Sequence, residues 1–139
     1  MDAGTLMEFE LSEEFRNEFE LRDVLGRGGM GVVYKAFQKQ LNNRPVAIKF
    51  LLEDYAQQDP VALRRFIDEG KICSTLNHPN VVQLYLYGRD NLLYLVYEFV
   101  DGQSLEELLE KTPRGHLSVQ EGVELAIEIC RGLGHAHEK

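Results

Sequence analysis

At 139 residues, 44% hydrophobic and 27% charged, the chain has the size and composition of one soluble globular domain with enough apolar side chains to bury a core. No run approaches the roughly 18 apolar residues of a membrane span, and residues 1–10 carry acids where a secretory signal would carry basic residues. A net charge of −8 argues against nucleic-acid binding, so a cytoplasmic protein with no nucleic-acid partner is expected.

The charge is concentrated at the start. Residues 1–23 hold eight acids (Asp2, Glu8, Glu10, Glu13, Glu14, Glu18, Glu20 and Asp23) against Arg16 and Arg22. Residues 1–18 are therefore set apart as an acidic leader, read first as a solvated tail and second as a docking segment. The rest of the chain is close to neutral, so any site for a phosphate ligand must be built locally.

Short β-branched and aromatic runs then predict five strands, at residues 19–25, 32–37, 46–52, 81–87 and 92–99. Their connectors are Gly-rich (26–31), polar (38–44) or tight (88–91), which suits an antiparallel meander with hairpins. One helix interrupts the strands. Asp59-Pro60 supplies an N-cap and a first-turn proline, Leu63, Phe66, Ile67, Cys73 and Leu76 follow at helical spacing, and Asn77-His78-Pro79 ends it. Beyond Gly102 the pattern is helical. Ser104 with Glu107, and Ser118 with Glu121, form capping boxes that start two helices. The second carries Val123, Ala126, Ile127, Cys130 and Leu133 along one stripe.

The first two strands are joined by Gly26-Arg27-Gly28-Gly29-Met30-Gly31-Val32-Val33, a G-x-G-x-x-G-x-V pattern in which glycines let backbone N–H groups approach phosphate oxygens. In dinucleotide-binding folds the third glycine opens a helix; here Val32, Val33 and Tyr34 open a strand, so the loop is expected to fold over phosphates as a hairpin flap. No G-K-[ST] follows, which excludes a Walker-type loop. In Val46-Ala47-Ile48-Lys49, strand alternation puts Ala47 and Lys49 on one face, the lysine placed for phosphates. Glu69 lies beside the helix stripe of Phe66 and Cys73, from where its carboxylate can reach Lys49, while Asp68 points to solvent. An ordinary i,i+4 pairing of Glu69 with Arg65 is the competing reading.

Glycine flap, V-A-I-K strand, inward glutamate and the Asn77-His78-Pro79-Asn80-Val81-Val82 turn, in this order, resemble the N-terminal lobe of Ser/Thr protein kinases. The wording Gly28-Gly29-Met30-Gly31-Val32-Val33-Tyr34 is most similar to bacterial members. The resemblance implies an α+β fold: a kinase-like N-lobe at 19–99, with a five-stranded antiparallel sheet and one αC-type helix, a hinge at 100–103, and two helices of an incomplete C-lobe at 104–139. It implies ATP as ligand, with main-chain groups of Glu98 and Val100 on the purine edge and Leu25, Val33 and Ala47 over the ring. Gly26, Gly28, Gly29, Met30 and Gly31 would cover the phosphates, Lys49 and Glu69 would form the positioning ion pair, and Tyr97 would be the gatekeeper, its hydroxyl needing a partner if buried. Cys73 and Leu84 match the two regulatory-spine positions of this lobe. Gly70 stands where a better helix former is usual.

The family's catalytic loop, H-R-D-x-x-x-x-N, follows the helix that here runs to Lys139, and no aspartate or asparagine occurs after Asp101. The base that orients the substrate hydroxyl and the magnesium ligands are thus expected to be missing, with Mg2+ bound only in a complete domain and the 139 residues alone incompetent for transfer. No metal site is expected: His135 and His137 sit about 200° apart around a helix, and His78 and His116 read as structural. Cys73 and Cys130 read as buried thiols. The stripe on residues 118–138 should be exposed and favour self-association, as could pairing of N-lobes. The parent would phosphorylate a protein substrate; the alternative is a non-catalytic nucleotide-binding or kinase-docking module, with a Rossmann-type oxidoreductase a distant third.

Overall fold

The protein was analysed as a computed structural model, which describes residues 10–28, 31–52 and 59–139. Gly29 and Met30 of the flap, and residues 1–9 of the acidic leader, lie outside the described residues. The elements are α1 (Glu13–Glu18), β1 (Phe19–Arg27), β2 (Gly31–Gln38), a 3-10 turn (Lys39–Leu41), β3 (Arg44–Leu51), α2 (Pro60–Ser74), β4 (Leu84–Arg89), β5 (Leu93–Glu98), α3 (Leu105–Lys111) and α4 (Val119–His137). They fall into two units, one containing the sheet with α1 and α2, the other joining Leu76–Val82 to Val100–Lys139.

The five strands form one antiparallel sheet in the order β1-β2-β3-β5-β4. A meander in strict chain order is thereby corrected: β3 pairs with β5, and β4 takes the edge, because α2 intervenes between β3 and β4 and lifts the chain off the sheet before it returns. The fourth strand begins at Leu84 rather than Val81. Residues 81–83 are held otherwise, with the Val81 N–H turned onto the His78 carbonyl. The polar connector closes through Asn42 and Asn43, both at φ 54, the left-handed region that asparagine tolerates better than most residues.

Alternation along the strands divides the sheet into two faces. Val32, Tyr34, Ala36, Val46, Ile48, Phe50 and Val96 are buried together on one of them. The same cluster contains Phe15 from α1, which is 4% exposed, with its ring centroid 5.1 Å from Phe19, 5.7 Å from Phe50 and 5.1 Å from Tyr94. Residues 12–18 are therefore not a solvated tail. Charge misled the expectation: the acids Glu13 and Glu14 occupy the first turn of a helix, where its dipole favours them, and Ser12 caps it by accepting from the Phe15 N–H. The Ser12 N–H donates to Asp90 at 2.8 Å and the Asn91 side-chain amide donates to the Glu10 carbonyl, which ties the entrance of α1 to the β4–β5 turn. Burial pushes the Asp90 carboxyl up, but donors from Ser12 and the Asn91 backbone outweigh it and hold it below its usual range.

Helix α2 lies on the opposite face. Ala62, Phe66 and Gly70, four residues apart, form its buried stripe, and Phe66 packs with Leu51, Leu84 and Leu95. Its start is as expected, Asp59 accepting from the Val61 N–H with Pro60 in the first turn. Both capping boxes at Ser104 and Ser118 are formed.

In the second unit, His135 accepts from the Asn77 N–H at 3.1 Å, His78 accepts from the Asn80 N–H, and the two rings lie 5.3 Å apart. The Asn80 side chain donates to the Glu128 carbonyl at 2.8 Å. These contacts explain why the Leu76–Val82 turn belongs with α4. Val123, Ile127, Cys130 and Leu133 are exposed on α4, so the buried-thiol reading of Cys130 is corrected; Cys73 is half-buried.

Candidate nucleotide-binding site

The register of the sheet sets Lys49 opposite Val33 on β2 and opposite Leu95 on β5, with Ala47 opposite Tyr97. Val33, Ala47, Lys49, Leu95 and Tyr97 therefore share the face that α2 covers, and the half-buried Val33 and Ala47 leave part of it open. The flap closes through a hydrogen bond from the Gly28 N–H to the Gly31 carbonyl at 2.9 Å. Gly31 is fixed by the fold: a Cβ there would lie 1.9 Å from the Phe50 carbonyl oxygen. At Gly26 and Gly28 a Cβ would meet nothing within 4 Å, so packing does not demand glycine at either.

Lys49 donates to Glu69 at 2.8 Å, its side chain 23% and that of Glu69 30% exposed. Arg65 is not the partner of Glu69, and Asp68, turned outward, meets Arg64 at 3.8 Å. A pair this accessible contributes modestly to stability, and its value is geometric: the carboxylate pins an ammonium on a long flexible stem at one place beside the sheet.

Two side chains complete the arrangement. The Tyr97 hydroxyl donates to the other Glu69 oxygen at 2.6 Å. Burial first, then that hydrogen bond and the negative charge, push the Tyr97 phenol far above its ordinary range, so it stays a donor. Cys73 packs in the same cluster as Tyr97 and Leu84, and burial likewise pushes its thiol up. The identity of the tyrosine's partner had no signal in the sequence beyond the requirement that a buried hydroxyl find one.

At the end of β5, Glu98 is held on both sides: its N–H donates to the Gln83 carbonyl at 2.9 Å and its carboxylate accepts from the Gln83 N–H at 2.9 Å. Leu25 is exposed near the end of β1. Val100 belongs to the second unit and is 66% exposed. Among the described residues no cluster of three or more His, Cys, Asp or Glu side chains could hold a metal ion, and no helix is long and apolar enough to cross a membrane.

A lysine on the third strand of an antiparallel sheet, paired with a helix-borne glutamate beside a glycine-rich turn, is the arrangement of an N-terminal lobe of the protein-kinase type. Residues 19–139 match the protein kinase domain family, and the chain belongs to it. The chain is 36% identical over 129 residues to serine/threonine-protein kinase PrkC of Bacillus subtilis, covering 92% of this chain and 19% of that protein. It is 35% identical over 127 residues to serine/threonine-protein kinase PknB of Mycobacterium leprae, covering 88% of this chain and 20% of that one. The chain thus spans about a fifth of the length of these relatives. The fold is also that of the Mycobacterium tuberculosis PknI kinase domain, with a TM-score of 0.72 at 24% identity over 87% of this chain and 48% of that structure.

Proposed function

We propose that residues 19–139 form the ATP-binding portion of a serine/threonine protein kinase whose parent transfers the γ-phosphoryl group of Mg-ATP to protein hydroxyls. The observation that carries this reading is the Lys49–Glu69 pair, set on the same sheet face as Val33 and Ala47. In this reading, the flap at Gly26, Gly28, Gly29, Met30 and Gly31 covers the phosphates, and Lys49 neutralises the α- and β-phosphates with Glu69 holding it. Leu25, Val33 and Ala47 cover the adenine, and the main-chain carbonyl of Glu98 takes its edge. ATP supplies the transferable phosphoryl group; these residues bind and orient it.

The serine/threonine assignment is supported by the names of the relatives. Residues 102–139 contain neither aspartate nor asparagine, so they offer no aspartate base and no aspartate or asparagine ligand for magnesium. Taken alone these residues would bind nucleotide without sustained transfer. A cytoplasmic setting and self-association through the exposed face of α4 complete the proposal.

The test is calorimetric titration of the chain with ATP and with adenosine. Lys49→Met should weaken ATP about tenfold or more and leave adenosine unchanged, as expected for a lost charge-assisted contact to phosphate. Equal affinities of wild type and variant for ATP would overturn the reading.

A further inference from the structure

We propose that Tyr97 is a positioning residue for phosphate binding: its hydroxyl fixes the Glu69 carboxylate, and through it Lys49, in the orientation the phosphates require. Its consequence for nucleotide rests on the function proposed above.

The two oxygens of Glu69 serve different donors, one taking Lys49 at 2.8 Å and the other Tyr97 at 2.6 Å. A carboxylate held by lysine alone can turn about its terminal torsion, and the lysine follows it on four flexible bonds. Held at both oxygens, its plane is set. The second donor comes from a rigid place, since Tyr97 has only two side-chain torsions, sits on β5 between neighbours, and packs its ring against the cluster of Phe66, Leu84 and Leu95. The contact therefore binds together β3, which carries Lys49, α2, which carries Glu69, and β5.

The neighbouring residues of α2 are matched to this bond. Gly70 is buried, and a Cβ on it would lie 2.9 Å from Leu95 Cδ2, so a larger residue there would require the Leu95 side chain on β5 to move. The helix gives up intrinsic propensity there to come close. One turn on, Cys73 shares the cluster with the ring of Tyr97. Gly70, unfavourable to α2 by itself, becomes intelligible from this close approach to β5.

Tyr97→Phe keeps the ring and removes only the donor. Without nucleotide, mild acetylation followed by peptide mass spectrometry should show Lys49 modified about fivefold faster in the variant, the size expected for losing one charge-assisted hydrogen bond at a partly exposed carboxylate, with Lys35, Lys39 and Lys71 unchanged. ATP affinity should fall by a similar factor while adenosine affinity holds, and in a Glu69→Ala background Tyr97→Phe should change neither. Unchanged labelling of Lys49 overturns the proposal, as does a variant that loses ATP and adenosine equally, which would mark a role in pocket shape. If wild type binds no nucleotide, the functional reading fails, and the labelling experiment still decides the role of Tyr97.

Discussion

Phe15→Ala is the perturbation that most sharply separates a structural α1 from a charged tail. The ring is 4% exposed and has three aromatic neighbours within 5.7 Å, so truncation removes a buried side chain and leaves a void that Phe19, Phe50 and Tyr94 can fill only in part. Substitutions of this kind cost about 3–5 kcal/mol. The loss here is capped, because α1 has six residues, too few to persist undocked, and once the ring is gone the segment can detach instead of collapsing around the void. A loss of about 3 kcal/mol is expected, a large part of a typical domain's 5–15 kcal/mol. Urea unfolding followed by circular dichroism and tyrosine fluorescence measures it, the chain having no tryptophan to dominate the signal. Glu14→Ala, exposed on the same helix, is the control and should stay within about 0.5 kcal/mol. If Phe15→Ala behaves like the control, α1 does not belong to the core and the solvated-tail reading returns.

Gly31→Ala would drive a methyl into the Phe50 carbonyl, which is backbone and cannot swing aside, so β2 and β3 must part at the flap; about 1–3 kcal/mol of stability and most of the nucleotide affinity should be lost, and a normal melting temperature would refute the close approach. The raised pKa of Tyr97 makes a pH prediction. Below the unfolded value of about 10 both states keep the proton, whereas above it only the unfolded chain ionises, so stability falls as pH rises through that range. Melting curves should decline less steeply above pH 10 in Tyr97→Phe, and identical slopes would contradict the buried hydrogen bond. The 139-residue chain should also associate at micromolar concentration through Val123, Ile127 and Leu133. Light scattering should show this, and Ile127→Glu should reduce it; a sharp monomer peak for wild type would refute it.

The site was legible in the sequence wherever spacing alone decides which way a side chain points. Strand alternation placed Ala47 and Lys49 together, and the helical stripe placed Glu69 inward and Asp68 outward, as found. Asp59-Pro60 and the two capping boxes were equally readable, because a cap is a contact between residues two or three apart. What failed depended on partners distant in the chain. The pairing of β3 with β5 is decided by how α2 packs, and the burial of Phe15 by three rings contributed from elsewhere in the sheet. Gly70, taken singly, looked like a weakness of α2, since nothing local announces that Leu95 on β5 comes so close to it.

The most direct measurement of the central claim is a crystal structure of the chain with a non-hydrolysable ATP analogue. The account requires the Lys49 ammonium within hydrogen-bonding distance of an α- or β-phosphate oxygen while Glu69 still holds it, with the adenine between Val33 and Ala47 on the same face. Phosphates bound elsewhere on the sheet, with Lys49 turned away from them, would contradict it.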